Sequence, residues 1–200
     1  MADAIVDPLE SETIWSEREL TGDVTGQHVE LLECVDSTLA SMRLTALTVE
    51  QARFRDVTIT GCDFSGALLN RATFTRVLLR DCRLSGVVLS EAVLRDVVFE
   101  NCRIDEASFR MARGEPVAFR DCDLTRADFY AAAFVDAELT GCDLTDVDLT
   151  QANFRGARLH HSQLMGVRGA LALAGCVIDN AQVVPLAYGL LSELQITVDD

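Results

Sequence analysis

Several residue types and patterns are scarce or absent in this sequence. It contains no lysine, so all 17 basic residues are arginine, and 32 acidic residues give a formal net charge of −15. A surface of this charge repels phosphate backbones and anionic lipids, so we expect no direct binding to nucleic acid and no membrane partner. No apolar run reaches the roughly 18 residues that a membrane-spanning helix needs.

The N-terminal segment lacks the features of an export signal. The residues MADAIVDPLESE have neither the basic start nor the apolar stretch of a secretory signal peptide. We therefore expect a cytoplasmic protein. In that compartment the seven cysteines are predicted to be free thiols rather than disulfides.

The charge is unevenly distributed along the chain. Residues 1–60 have a net charge of −8, residues 61–120 of +1, and residues 121–150 of −7. Two acidic zones therefore flank a middle zone that is rich in arginine.

The feature that the sequence does contain is a repeat of five residues. From Leu39 to Leu164 every fifth residue is large and apolar, with Gly114 as the one exception. The phenylalanines of this series are Phe54, Phe64, Phe74, Phe99, Phe109, Phe119, Phe129, Phe134 and Phe154. Two positions earlier the repeats have a small residue, mostly alanine, valine or cysteine, and its cysteines are Cys62, Cys82, Cys102, Cys122 and Cys142.

A period of five suits neither a helix nor a continuous strand. On a helix the apolar residues would be spread around the axis, and on a strand an odd period would send alternate repeats to opposite faces. Both conflicts disappear if the chain turns a corner every five residues. The large residue and the small residue two positions earlier then point inward together, as strand alternation requires.

The five cysteines add a second period, of twenty residues. Twenty residues are four pentapeptides, so one coil has four sides, and successive coils stack at about 4.8 Å, the distance between paired strands. The repeat region predicts about seven coils.

Three segments carry a resemblance to a known family. ADFYA (127–131), ANFRG (152–156) and VDLTQ (147–151) resemble the A(D/N)LXX consensus of pentapeptide-repeat proteins. The resemblance covers roughly residues 22–168 and implies an all-β solenoid, a right-handed quadrilateral parallel β-helix. It implies no single activity, since the family as a whole has none.

The repeat divides the chain into three parts. We predict an irregular N-terminal cap over 1–20, because Ile14 keeps the register and Glu19 does not, and the β-helix over 21–168. Gly114 and Pro116 interrupt the pattern, which predicts a bulge or loop at 111–117.

The segment 169–200 is predicted to be a C-terminal helix with a short tail. Asp179 or Asn180 is the expected N-cap of a helix over roughly 180–193, and Ile196 and Val198 lie in the tail. This segment either covers the last coil or forms a homodimer contact, and both alternatives remain open.

The sequence offers no set of residues for catalysis or cofactor binding. A filled solenoid has no pocket in which polar groups converge. The cysteine column is better explained as small buried residues than as a metal site. His160 and His161 lie at a predicted corner, where adjacent side chains diverge. We therefore predict no catalytic residue, no metal, no cofactor, and a protein that is not an enzyme.

Two sets of outward residues are candidates for a partner surface. The acidic set consists of stacked pairs twenty residues apart, namely Asp123 with Asp143 and Asp128 with Asp148. The apolar set occupies the same outward position in earlier coils and consists of Leu68, Leu78, Val88, Val93 and Val98. Grouped apolar surface indicates a contact, although a ladder of β-branched residues that only stabilises the coil explains it equally well.

These observations predict a scaffold protein that binds an unidentified protein partner. The alternative follows from the resemblance, because some family members are acidic DNA mimics that bind DNA gyrase, a type II topoisomerase, and protect it from quinolones or toxins. The net charge agrees with that alternative. The near-neutral segment 61–120 interrupts the acidic surface and argues against it.

Overall fold

The chain folds into a stack of parallel coils in the computed structural model, which describes residues 3–5 and 9–197. The strands in these ranges are β1 (Asp3–Ile5), β2 (Glu12–Ser16), β3 (Glu19–Gly22), β4 (His28–Val35), β5 (Thr38–Ala40), β6 (Thr48–Thr60), β7 (Thr73–Arg80), β8 (Val93–Glu100), β9 (Arg113–Gly114), β10 (Val117–Arg120) and β11 (Glu138–Thr140). Two 3₁₀ turns, Ala170–Leu173 and Asn180–Gln182, precede the helix α1 (Val183–Glu193).

All strand pairs are parallel, and their registers establish the coil. Phe54 lies opposite Phe74, and Phe99 lies opposite Phe119, each a step of twenty residues. Isolated bridges continue the same step where the chain forms no strand, as between Asp123 and Asp143. The fold is therefore the quadrilateral parallel β-helix that the sequence predicts.

The corners are made by residues in the left-handed region. Every fifth residue has a positive φ, for example 57° at Asp56, 55° at Asp81 and 64° at Gly66. Aspartate, asparagine and glycine adopt this conformation at the lowest cost, which explains their frequency at corners. Among every fifth residue from 36 to 166, only Gln51 and Pro116 lack a positive φ.

The interior contains both series that the period predicts. All nine phenylalanines of the repeat and the five cysteines of the twenty-residue series are buried. Rings stack from coil to coil, with centroids 4.8 Å apart for Phe99 and Phe119 and 4.9 Å apart for Phe109 and Phe129. This spacing is the strand separation, so the aromatic columns follow the backbone ladder directly.

The N-terminal segment differs from the prediction of an irregular cap. Strand β2 pairs with β4, and β3 pairs with β5, in steps of nineteen residues rather than twenty. Because of that shorter step, Trp15 and Leu20 point inward, and Ile14 is 63% exposed. The register predicted from the sequence is wrong by one residue here. Parallel pairing extends back to β1, in which Asp3 lies opposite Leu20. Residues 1, 2 and 6–8 of the predicted cap lie outside the described residues.

The segment 111–117 also differs from its prediction, because it does not form a loop. Leu94 pairs with Gly114 and Val97 pairs with Val117, so the twenty-residue step continues through it. A Cβ on Gly114 would lie 2.6 Å from the Phe134 ring and from the Val117 side chain. These neighbours occupy the space of the missing side chain, and only Glu115 and Pro116 bend.

The C-terminal helix lies against the last coil. The side chain of Asp179 accepts a hydrogen bond from the Ala181 N–H and begins the 3₁₀ turn before α1. Gly189 lets the helix approach closely, since a Cβ there would lie 3.2 Å from the Val167 carbonyl oxygen. Ile196 is exposed, and Val198 lies outside the described residues.

Candidate interaction surface

Four flat faces present the outward side chains of the β-helix. We name each face by a row of bridged residues at steps of twenty. Face 1 has the row Asp23, Arg43, Asp63, Arg83, Arg103, Asp123, Asp143 and Gln163, and face 2 has Thr48, Leu68, Val88, Ser108, Asp128, Asp148 and Arg168. Face 3 has Arg53, Thr73, Val93, Arg113, Ala133 and Asn153, and face 4 has Thr38, Thr58, Leu78, Val98, Ala118, Glu138 and Arg158.

The predicted acidic residues are divided between two faces. Asp123 and Asp143 lie on face 1, whereas Asp128 and Asp148 lie on face 2. Each carboxylate accepts a hydrogen bond from the backbone N–H two residues later, at distances of 2.8–3.0 Å. These aspartates therefore hold the turn after each strand, which is a structural role independent of any partner.

Arginines pair with most of these carboxylates. Arg110 lies 2.8 Å from Asp128, and Arg168 lies 3.2 Å from Asp148. Burial raises the pKa of Asp148, but hydrogen bonds from Thr150 and the charges of Arg168 and Arg110 outweigh it, so the pKa is lowered overall. Arg110 also stacks on the ring of Tyr130, 4.3 Å from its centroid. The acidic pair of face 2 is therefore neutralised locally.

The predicted apolar residues do not form one patch. Leu68 and Val88 are neighbours on face 2, Leu78 and Val98 are neighbours on face 4, and Val93 lies on face 3. Leu68 is 41% exposed, and the other four are half-buried. The apolar rows that these residues form are thus short and distributed over three faces.

The cysteine column lies along one inner corner of the coil. The thiols of Cys82, Cys102, Cys122 and Cys142 each donate to the carbonyl oxygen 23 residues earlier. Hydrogen bonds with Cys102 and Cys62, together with burial, raise the pKa of Cys82, and burial raises that of Cys34 to about 12. The seven cysteines are free thiols. Among the described residues no three His, Cys, Asp or Glu side chains are grouped as metal ligands.

The two adjacent histidines lie at a corner beside the start of the helix. The ring of His161 is 3.6 Å from the carboxylate of Asp179, and its main-chain N–H donates to the same carboxylate at 2.7 Å. The ring centroids of His160 and His161 are 6.3 Å apart. This contact attaches the C-terminal segment to the last coil.

The C-terminal end has an apolar surface that the repeat does not predict. Val183, Val184 and Tyr188 of α1 are 51%, 62% and 65% exposed, and Leu171 of the first 3₁₀ turn is 57% exposed. The helical spacing of these residues is visible in the sequence, but the spacing alone does not indicate which side of the helix packs on the coil and which side is exposed. No helix in residues 3–5 and 9–197 is long and apolar enough to cross a membrane.

The repeat region matches two models of one family. A model described as a pentapeptide repeat region matches residues 72–148, and a model of eight pentapeptide repeats matches 43–76, 50–86 and 132–168. No curated protein sequence matches the chain significantly.

Solved structures with similar coils have low sequence identity to this chain. HetL, a pentapeptide repeat protein involved in heterocyst differentiation regulation in the cyanobacterium Nostoc, is 20% identical, with 78% of this chain and 74% of that chain covered and a TM-score of 0.41. QnrB1, a plasmid-mediated fluoroquinolone resistance protein, is 18% identical, with 94% and 98% covered and a TM-score of 0.39. Rfr23 from the cyanobacterium Cyanothece is 14% identical, with 71% and 91% covered and a TM-score of 0.38.

Proposed function

Since this chain belongs to the pentapeptide-repeat family, we propose that it is a non-enzymatic scaffold that binds a protein partner along one flat face. The supporting observation is the regular presentation of outward side chains on faces 1 to 4, at the same register from coil to coil. An extended surface of this kind is what solenoid proteins use for binding. A cytoplasmic location is part of this proposal.

Site-specific photo-crosslinking in the source cells tests the scaffold role. A photoreactive amino acid is placed on one face at a time, at Arg83 (face 1), Leu68 (face 2), Thr73 (face 3) or Leu78 (face 4). We expect one protein to be crosslinked from a single face, because a flat partner contacts one side of the rod. The same set of proteins crosslinked from all four positions would indicate nonspecific contact and contradict the proposal.

The second candidate is a DNA mimic that binds gyrase or another type II topoisomerase. The observation that favours it is the placement of exposed acids at three corners of neighbouring coils, Asp121, Asp136 and Asp146. None of the three forms an ion pair with a residue in the described ranges. Unpaired carboxylates at corners resemble the phosphates of a duplex more closely than the paired aspartates of face 2 do.

A supercoiling assay with purified gyrase tests this second candidate. We expect the protein to inhibit supercoiling, less so as salt rises, because opposite charges are screened within about 8 Å at physiological ionic strength. The variant Asp121→Asn/Asp146→Asn is expected to inhibit less than its matched control, Asp128→Asn/Asp148→Asn, which removes the same charge. Unchanged supercoiling at low salt would leave only the scaffold role.

A second copy of this chain is a further proposed partner, at the C-terminal end. The exposed side chains of Val183, Val184 and Tyr188 lie together on α1, and apolar surface of this kind commonly marks an interface. Such a homodimer is compatible with either function, since it leaves the four faces uncovered.

A further inference from the structure

Face 3 differs from the other faces because most of the arginines without an ion pair lie on it. Of the 17 arginines, nine form ion pairs within the described ranges, which leaves eight without one. Five of those eight lie on face 3, namely Arg53, Arg55, Arg95, Arg113 and Arg155. From residue 53 to residue 155 the only acidic side chain in the two outward rows of this face is Glu115. In a protein of net charge −15, face 3 is locally positive.

A depression lies at the centre of this face. It has a volume of about 330 Å³ and lies where the chain bends at Glu115 and where Ala133 presents only a methyl group. Arg95, Arg113 and Glu115 line it, together with the aliphatic side chains of Val93 and Val135. The site therefore combines two guanidinium groups and one carboxylate with an apolar floor, and its formal charge is +1.

The two arginines at the depression form no ion pair with any described residue. Arg95 and Arg113 are exposed, and neither lies within ion-pair distance of a carboxylate anywhere in residues 3–5 or 9–197. Arg110, by contrast, contacts both Asp128 and Tyr130. A planar guanidinium binds a carboxylate through two parallel hydrogen bonds, so unpaired arginines beside a hollow are suited to carboxylates brought by another molecule.

We infer that face 3 binds an acidic, partly aliphatic segment of a protein partner, whose carboxylates pair with Arg95 and Arg113. The inference rests on the proposed scaffold function and adds the face and the chemistry of the partner. Aliphatic side chains of that segment lie on Val93 and Val135. A nucleic acid fits less well, because its phosphates extend beyond one narrow face and meet the acids at the neighbouring corners.

Fluorescence anisotropy with defined probes tests the inference on the full chain. The main probe is a labelled decapeptide of alternating glutamate and valine. The comparison probes are the same peptide with glutamine in place of glutamate, and a labelled single-stranded DNA of equal length. The test variant is Arg95→Gln/Arg113→Gln. Its matched control is Arg83→Gln/Arg158→Gln, which removes two equally unpaired, exposed arginines from faces 1 and 4.

We expect the glutamate peptide to bind the wild-type protein and to bind the test variant roughly tenfold more weakly, because two charge-assisted contacts are lost. The control variant should change affinity less than twofold. Equal loss in both variants, equal binding of the glutamine peptide, or tighter binding of the DNA would each overturn the inference. So would the absence of any peptide binding, whereas the scaffold role fails only if crosslinking shows no face-specific partner.

Discussion

The side-chain amide of Gln182 donates hydrogen bonds to the main-chain carbonyl oxygens of Leu159 and Ser162. Leu159 is 23 residues earlier, the same separation at which the column cysteines donate. The hydroxyl of Ser162 donates a hydrogen bond to the main-chain carbonyl oxygen of Leu139, again 23 residues earlier. Gln182 therefore occupies the next position of the cysteine column and joins the C-terminal segment to the coil.

Replacement of Gln182 by alanine tests this attachment. The change leaves the carbonyl oxygen of Ser162 without its donor, whereas that of Leu159 still accepts a hydrogen bond from the Ser162 N–H. We expect a loss of about 1–3 kcal/mol in the free energy of unfolding, measured with urea. The control is Gln163→Ala on exposed face 1, which should change stability by no more than about 0.5 kcal/mol. Similar losses in both variants would show that the amide contacts contribute nothing specific.

The variant Gly114→Ala tests whether the space beside Gly114 is filled or empty. If the missing side chain left empty space at this position, an added methyl group would be stabilising. Because Phe134 and Val117 already occupy that space, we expect the added methyl to destabilise the protein by about 1–3 kcal/mol. Thermal unfolding measures the change. Combining it with Phe134→Leu should recover part of the loss, and an increase in stability for Gly114→Ala alone would contradict the packing.

Gly169→Ala and Gly66→Ala compare two glycines with similar positive φ, 74° and 64°. A Cβ at residue 66 meets no atom within 4 Å, whereas one at residue 169 would overlap the backbone of Leu149 and Thr150. We expect the change at residue 66 to cost about 1–2 kcal/mol for the left-handed backbone alone. The change at residue 169 should cost roughly 1–3 kcal/mol more. Equal costs in urea unfolding would mean that the last coil moves freely.

Thiol titration of the native protein is expected to detect Cys176 first. Its side chain is only half-buried, whereas the other six are buried. Thiolate is the reactive form, so burial slows the reaction. The variant Cys176→Ser should lack the first phase and keep the slow one. Rapid reaction of several thiols without denaturant would contradict the buried column.

Val184→Glu/Tyr188→Glu tests the proposed homodimer. We expect the wild-type chain to sediment as a dimer and this variant as a monomer, because charges on the apolar side of α1 oppose association. Met111→Glu is the control, since Met111 is 47% exposed at a distant corner, and it should remain dimeric. A monomeric wild-type protein at high concentration would exclude the interface.

Much of the fold follows from the sequence, because every pentapeptide repeats the same information. The core residues, the twenty-residue step and the helix near 180–193 are all predicted by local periods. The nineteen-residue step at Trp15 is not, since one residue fewer in a coil leaves no local signal. The space beside Gly114 is filled by Phe134, which lies in a neighbouring coil. The repeat pattern along the chain does not predict this contact between coils.

The candidate surface was less predictable than the fold. Asp123 and Asp128 are five residues apart. Because each side of the coil has five residues, the sequence alone places them on adjacent faces. The pairing of Arg110 with Asp128 is different, because the two residues are 18 apart and meet diagonally between neighbouring coils of face 2. Side-chain reach between coils decides which charges are free, and that depends on rotamers rather than on the period.

Between residues 38 and 168 the constant step of twenty residues makes the length of the rod and the direction of its side chains separate variables. Deleting twenty residues from the middle of the coil would shorten the rod by one layer and leave every later side chain on its own face. Deleting five would turn everything that follows by a quarter of a revolution. Insertions and deletions of pentapeptides can therefore redirect a binding group around the axis during evolution, while the large and small residues of each repeat still point inward.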